Sequence, residues 1–291
     1  MCVPGRERYR IWTTAPRPYR IVDRYAELPG EMTLVLVPDG PGSGSGGRGA
    51  GRDAAEPAEG SAEPAPGRFW VLHTESGMRI PAADVSTRPL LSDGQVGESS
   101  LVELRALRVP CGPGSCRIGD RVGLAGPRGN GWDLDRAAGG ELLVLGWDSG
   151  LGLLRPVVER ALAGAGRYRS LRVWAAGAVW SAAPEGAGGR PVPTGVVSPV
   201  VDGPLPPGEL VFDPVSAVAL LAGPLRLALA TARRLREQGM DAERIQVAAH
   251  ELIQCGSGRC GRCLLETAEG PVRVCREGPV LSYDRLAGLS L

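Results

Sequence analysis

The most regular alternation of apolar and polar positions lies at residues 19–38, YRIVDRYAELPGEMTLVLVP, and continues on both sides of Pro29-Gly30. A period of two interrupted by a Pro-Gly turn predicts a two-stranded hairpin with one buried face. Residues 39–67, DGPGSGSGGRGAGRDAAEPAEGSAEPAPG, contain no large apolar side chain and cannot offset the entropy of ordering. They predict a disordered insertion inside a β domain, because the strand-like RFWVLHT follows at once at 68–74. Short β segments broken by Gly and Pro continue to GLAGPRGNGW at 123–132. The period then changes. LLVLG at 142–146 suits a strand buried on both faces, and LGLLRPVVERAL at 151–162 repeats its apolar residues at helical spacing. Further strands are expected at 171–180, 210–213 and 217–224, with a helix over 225–238 stopped by Gly239. IQVAAHEL at 245–252 reads as a last strand leading into a cysteine-rich segment.

These elements predict a multidomain β plus α/β chain. An antiparallel β-barrel spans 1–136, a Rossmann-like doubly wound parallel sheet spans 137–250, and a small C-terminal module spans 251–291. The length of 291 residues accommodates all three. With 33 basic against 32 acidic residues the net charge is +1, so no global field attracts nucleic acid or an anionic membrane, and neither is expected as a partner. Every basic residue apart from two His is Arg, and the chain has 43 Gly and 26 Pro, a composition that reflects base bias more than selection for guanidinium. No apolar run approaches the roughly 20 residues of a membrane span, and MCVPGRERYRIW lacks the apolar core of a signal peptide. A cytoplasmic protein is expected, in which clustered thiols serve metal or redox chemistry rather than disulfides.

Four of the seven cysteines fall in CGSGRCGRCLLETAEGPVRVC at 255–275, with the spacing C-x4-C-x2-C-x11-C. This puts Cys255, Cys260 and Cys263 on one glycine-rich loop and returns Cys275 from the far side of a hairpin. The spacing is that of a plant-type 2Fe-2S site. Glycines at 256, 258 and 261 let the backbone turn tightly and aim N–H groups at the sulfurs. The competing reading is structural zinc. Zinc sites are usually built from two C-x2-C pairs, and only Cys260 and Cys263 form one. Cys2, Cys111 and Cys116 show no such pattern and read as ordinary thiols, as His73 and His250 read as ordinary polar residues. No nucleophile-base pattern or Walker-type loop is present, so no catalytic residue is assigned.

The order of barrel, doubly wound sheet and cysteine module resembles the electron-transfer subunits of the ferredoxin-NADP reductase superfamily. These include the flavin subunit of dihydroorotate dehydrogenase, the gamma subunit of cytoplasmic NiFe hydrogenases and the corresponding subunit of anaerobic sulfite reductase. The resemblance is carried by YRIV at 19–22, PGRF at 66–69, IGDRVGLAGPRGNGW at 118–132, LGLLRPVV at 151–158, LLAGP at 220–224, IQCGSGRCGRC at 253–263 and VCREGPV at 274–280. It implies FAD on the barrel, NAD(P)H on the second domain, and a 2Fe-2S cluster on Cys255, Cys260, Cys263 and Cys275. The cluster would pass single electrons to hydrogenase or sulfite-reductase-type catalytic subunits.

The resemblance places flavin contacts at Arg79, Gly114, Ser115, Gly129, Asn130 and Gly131, and a nucleotide contact at Gly150. Two departures follow from the residues themselves. Ala82 and Ala83 stand where polar or aromatic flavin contacts are expected, and Cys111–Asp120 leaves little room for the short helix that receives the pyrophosphate. At the paired glycines of the nucleotide loop stand Trp147 and Asp148, an indole to crowd the pyrophosphate and a carboxylate to repel it. A diverged subunit that keeps only the cluster, as a one-electron conduit or assembly scaffold, is therefore an alternative, and a zinc-stapled binding module is a third.

Overall fold

The computed structural model describes residues 16–28, 31–39, 66–84, 105–110, 116–148, 150–163, 166–176, 197–198, 210–254, 256, 258, 260–267 and 269–289. The Pro29-Gly30 turn, nearly all of the 39–67 insertion, Gly114, Ser115 and Cys255 lie outside them.

Six strands form a closed antiparallel barrel: β1 (Arg17–Leu28), β2 (Glu31–Pro38), β3 (Phe69–Thr74), β4 (Arg79–Asp84), β5 (Arg105–Pro110) and β6 (Arg121–Arg128), in the order β1-β2-β5-β4-β3-β6. The first two are the hairpin that the alternation predicts. Tyr19, Ile21, Leu34, Leu36, Trp70, Leu72, Val122 and Leu124 fill the interior. In β3 the parity splits the apolar run between two cores. Trp70 and Leu72 face into the barrel, while Phe69 and Val71 face outward into the core of the second domain.

That domain is a six-stranded sheet. It comprises β7 (Glu141–Trp147), β8 (Ser170–Ala176), β9 (Val197–Ser198), β10 (Ala217–Ala222) and β11 (Ile245–Ala248). After a separate two-stranded hairpin of β12 (Leu264–Thr267) and β13 (Gly270–Arg273) comes β14 (Val280–Ser282), and the sheet order is β14-β11-β10-β7-β8-β9. All pairings in it are parallel except that of β14. The helix α1 (Gly150–Ala163) covers the face carrying Leu142, Val144, Val218 and Leu220. The opposite face, carrying Leu143, Leu145, Ala219 and Leu221, is covered by α2 (Leu225–Glu237). The chain returns across β7 to reach β10, so the order reverses between β7 and β10, which is where doubly wound sheets bind ligands.

Three expectations are corrected. Residues 210–213 form no strand: Asp213 accepts hydrogen bonds from the Val215 N–H and the Ser216 hydroxyl, and Pro214 has no N–H to donate, so the segment runs into a turn at 214–216. The strand expected over 245–252 stops at Ala248, where a 3-10 turn at His250–Leu252 begins. It is also not the last, because β14, contributed from within 251–291, extends the sheet beyond it. Asn130 secures that edge. Its Nδ2 donates to the Val280 carbonyl at 2.6 Å, and its Oδ1 accepts from the Val280 N–H at 3.0 Å. Among the described residues no helix is long and apolar enough to cross a membrane.

Candidate functional site

The cysteine loop runs from the 3-10 turn to β12. Gly256, Gly258 and Gly261 have φ of +59°, +71° and +73°, the left-handed region that makes the turns possible. Pairing of Leu264 with Arg273, and a 2.9 Å bond from the Val274 N–H to the Cys263 carbonyl, bring the end of the loop beside α3 (Val274–Glu277), which carries Cys275. Cys263 and Cys275 are buried and Cys260 is exposed. Backbone N–H groups already face two sulfurs: Gln254 donates to Cys263 Sγ at 3.2 Å and Arg262 to Cys260 Sγ at 3.4 Å. Such bonds offset thiolate charge in iron-sulfur sites. Among the described residues no three His, Cys, Asp or Glu side chains gather around one metal ion. Thiolates are the donors that iron-sulfur clusters take, and Cys260, Cys263 and Cys275 supply three of them among the described residues. Cys116, by contrast, is buried in the barrel core.

The loop rests on the barrel. A Cβ on Gly256 would lie 2.5 Å from Val71 and 2.9 Å from Phe69, so its backbone sits directly on the outer face of β3. Beside it the buried Arg128 donates from Nη1 to the Gly256 carbonyl at 2.6 Å. Sequence reasoning missed Arg128. The available signal was a charge closing a strand whose other buried positions, Val122, Leu124 and Ala125, are apolar.

His250 opens the approach to the loop. The residue is half-buried, but both ring nitrogens are shielded from solvent and make no hydrogen bond of good geometry among the described residues. Burial pushes its pKa down to about 4, against a weaker upward pull from the Gly67 backbone. The unfolded chain binds this proton below about 6.5 and the folded chain only below about 4, so stability is complete above 6.5 and declines as pH falls toward 4. A loss of about 3 kcal/mol is expected across that window. Melting curves between pH 7 and pH 4.5 measure it, and His250→Gln should flatten the dependence.

Arg79, assigned to flavin, begins β4 and is exposed, whereas the two alanines that depart from the flavin pattern are packed away, Ala82 in the barrel core and Ala83 against the core beneath α1. Gly129 is closed over by the C-terminal segment, since a Cβ there would lie 2.3 Å from the Gly278 carbonyl. Both polar groups of the Asn130 side chain are engaged by Val280. Gly131 lines, with Asp133, Arg136, Glu243 and Gln246, a cleft of about 160 Å³, smaller than the roughly 300 Å³ or more that a small-molecule pocket needs. The Gly129–Gly131 turn thus joins the barrel to residues 278–280.

At the β7–α1 turn, where the sheet order reverses, Gly150 is packed on backbone: a Cβ there would lie 2.1 Å from the Ala222 carbonyl carbon and 2.3 Å from the Gly223 nitrogen. This is the close helix-to-strand contact for which such folds use glycine. Trp147 does not block the turn. Its indole is buried under the sheet, 5.2 Å from Trp174 in an edge-to-face arrangement. Asp148 is exposed with φ of +44°, a conformation glycine adopts without strain. Asp148→Gly is expected to stabilise the fold by about 0.5–1 kcal/mol, seen as a rise in Tm of roughly 2 °C.

Residues 250–287 match the family model described as the iron-sulfur cluster binding domain of dihydroorotate dehydrogenase B. The sulfhydrogenase 2 subunit gamma of Pyrococcus furiosus is 24% identical over 198 residues, which cover 57% of this chain and 66% of that protein. The probable dihydroorotate dehydrogenase B (NAD(+)) electron transfer subunit of Methanocella arvoryzae is 30% identical over 186 residues, covering 58% and 65%. The chain is a homologue of these electron-transfer subunits. The matched stretches span less than two thirds of either relative's length. The fold is shared with the NADH-dependent reduced ferredoxin-NADP oxidoreductase at a TM-score of 0.55 and 18% identity, over 94% of this chain and 90% of that one. It is shared also with the CS-b5R domains of human Ncb5or at a TM-score of 0.53 and 13% identity, over 82% and 71%. The chain thus shares the fold of these two structures, and its cysteine segment matches an iron-sulfur binding domain.

Proposed function

We propose that this chain is the electron-transfer subunit of a cytoplasmic oxidoreductase complex, with a 2Fe-2S cluster held by Cys255, Cys260, Cys263 and Cys275 and with NiFe-hydrogenase-type catalytic subunits as its partner. The observation that carries the reading is the set of thiols at Cys260, Cys263 and Cys275, two of which accept backbone N–H bonds. When bound, the cluster supplies a one-electron relay, which a hydride donor lacks without a flavin between them. The chain's own residues divide that work. Cys263 and Cys275 hold the buried side, where Phe69 and Val71 keep water away. Cys260 stands at the surface, on the side from which a partner could be reached. In this reading FAD lies along the barrel at Arg79 and NAD(P)H over the β7–α1 turn.

A second reading keeps the cluster alone, and three observations favour it. Asn130 and Gly129 are engaged by residues 278–280, Ala82 is turned into the barrel, and the carboxylate of Asp148 stands exposed at the β7–α1 turn. A carboxylate at that turn opposes a pyrophosphate, and no electron-transfer step is assigned to NAD(P)H here. The test is co-expression with hydrogenase catalytic subunits, followed by flavin content and NAD(P)H-dependent dye reduction of the purified complex. Bound flavin with dye reduction supports the first reading. A brown, flavin-free complex that accepts electrons from dithionite supports the second. Failure to associate with hydrogenase subunits, with association to sulfite-reductase subunits instead, redirects the choice of partner.

A further inference from the structure

We infer that Arg128 is a positioning residue for the cluster, pinning the first turn of the ligand loop to the barrel and setting the cluster's reduction potential through its charge. This rests on the reading that the loop carries an iron-sulfur cluster. Arg128 ends β6 in register with Phe69 of β3, and only 7% of it is exposed. Its Nη1 donates at 2.6 Å to the carbonyl of Gly256, the residue that follows Cys255 in the chain. Gly256 itself sits on Phe69 and Val71 too closely for any side chain. The contact is therefore made to loop backbone, at the place where the barrel touches the loop through apolar side chains.

Burying a guanidinium beside phenylalanine and valine costs free energy that an apolar side chain of similar size would avoid. An arginine cannot lose its proton to lessen that cost. A role that needed only packing would be met more stably by methionine or leucine. What arginine adds is a fixed positive charge bonded to the cluster loop. One-electron reduction adds a negative charge to the cluster, and in a low-dielectric setting a nearby cation favours the reduced form. His73 and Arg79 lie on the neighbouring strands, and His73 has its pKa lowered by burial first and then by Arg79 and Arg128.

The experiment is an EPR-monitored redox titration of the purified, full-length protein and its Arg128→Lys, Arg128→Gln and Arg128→Met variants, with iron content and Tm measured on each. At the wild-type midpoint the ratio of reduced to oxidised cluster is expected to fall about tenfold in Arg128→Gln and Arg128→Met, and to stay within about twofold in Arg128→Lys. Loss of iron from Gln and Met but not from Lys supports the same requirement for a cation. Gln and Met titrating with the wild type, even with a lowered Tm, would reduce Arg128 to a structural role and overturn the inference. So would loss of iron from all three, or a wild-type potential in Gln with a shifted one in Met, which would assign the effect to the hydrogen bond. Zinc in place of iron in the wild type would sink the underlying reading, an outcome distinct from an unshifted iron cluster.

Discussion

Trp147→Gly, which restores the first glycine of a nucleotide-binding turn, is expected to lower stability by about 3–5 kcal/mol and to confer no affinity for NAD(P)H. The indole is 2% exposed and lies edge-to-face with Trp174, its centroid 5.2 Å away, so its removal leaves a large cavity beneath the sheet and an aromatic contact unmade. Against a total stability of roughly 5–15 kcal/mol this is a large fraction, and the expected fall in Tm is roughly 10 °C. Nucleotide affinity is not recovered because the exposed carboxylate of Asp148 remains at the turn and opposes a pyrophosphate. Gly150 is held against Ala222 and Gly223, and Gly223 in turn lies so close to Trp147 that a Cβ there would be 2.8 Å from the Trp147 Cβ. Calorimetry with titration of NADH and NADPH measures both parts. An unchanged Tm, or micromolar nucleotide binding by the variant, would contradict the placement. The neighbouring Asp148→Gly has the opposite expected sign, so the pair separates a buried side chain from a strained one within one turn.

The direction of Trp147 was available from the sequence through strand parity. Leu143, Leu145 and Trp147 share one face of a β-strand, and the structure buries all three on the α2 side. Comparison with a glycine-rich loop hides this, because it treats the position as part of the turn when it is the last residue of β7. The hairpin at 19–38 was legible because period-two alternation and a turn signal are local. The three-residue β14 was not, since so short a strand has no periodicity and is defined by its partner β11. Arg128 and Gly256 are 128 positions apart, and nothing local to either forecasts their contact. The cysteines were legible for the reverse reason: three of the four lie within nine residues, so spacing alone limits what they can bind.

Cys263→Ser and Cys275→Ser are each expected to lower the iron content of the purified protein at least tenfold, whereas Cys116→Ser leaves it unchanged. A serine hydroxyl does not ionise as a thiol does, and the thiolate is the ligand. Both positions are buried, with 3% and 4% exposure, so each substitution also strands a hydroxyl among apolar neighbours, at about 1–3 kcal/mol. Cys116, in the barrel interior with Tyr19 and Leu124, bears the packing change without any change at the loop. Iron quantification and Tm on the three variants separate ligation from folding. Equal iron loss in all three would mean that the metal depends on fold integrity, and retained iron in both loop variants would remove Cys263 and Cys275 from the ligand set.

The metal held by the wild-type loop decides most directly between these outcomes. Protein purified anaerobically is to be assayed for iron, acid-labile sulfide and zinc, and reduced with dithionite for EPR at low temperature. The expected result is two irons and two sulfides per chain with a rhombic signal in the reduced state. One zinc per chain, with no sulfide and no signal on reduction, would contradict it.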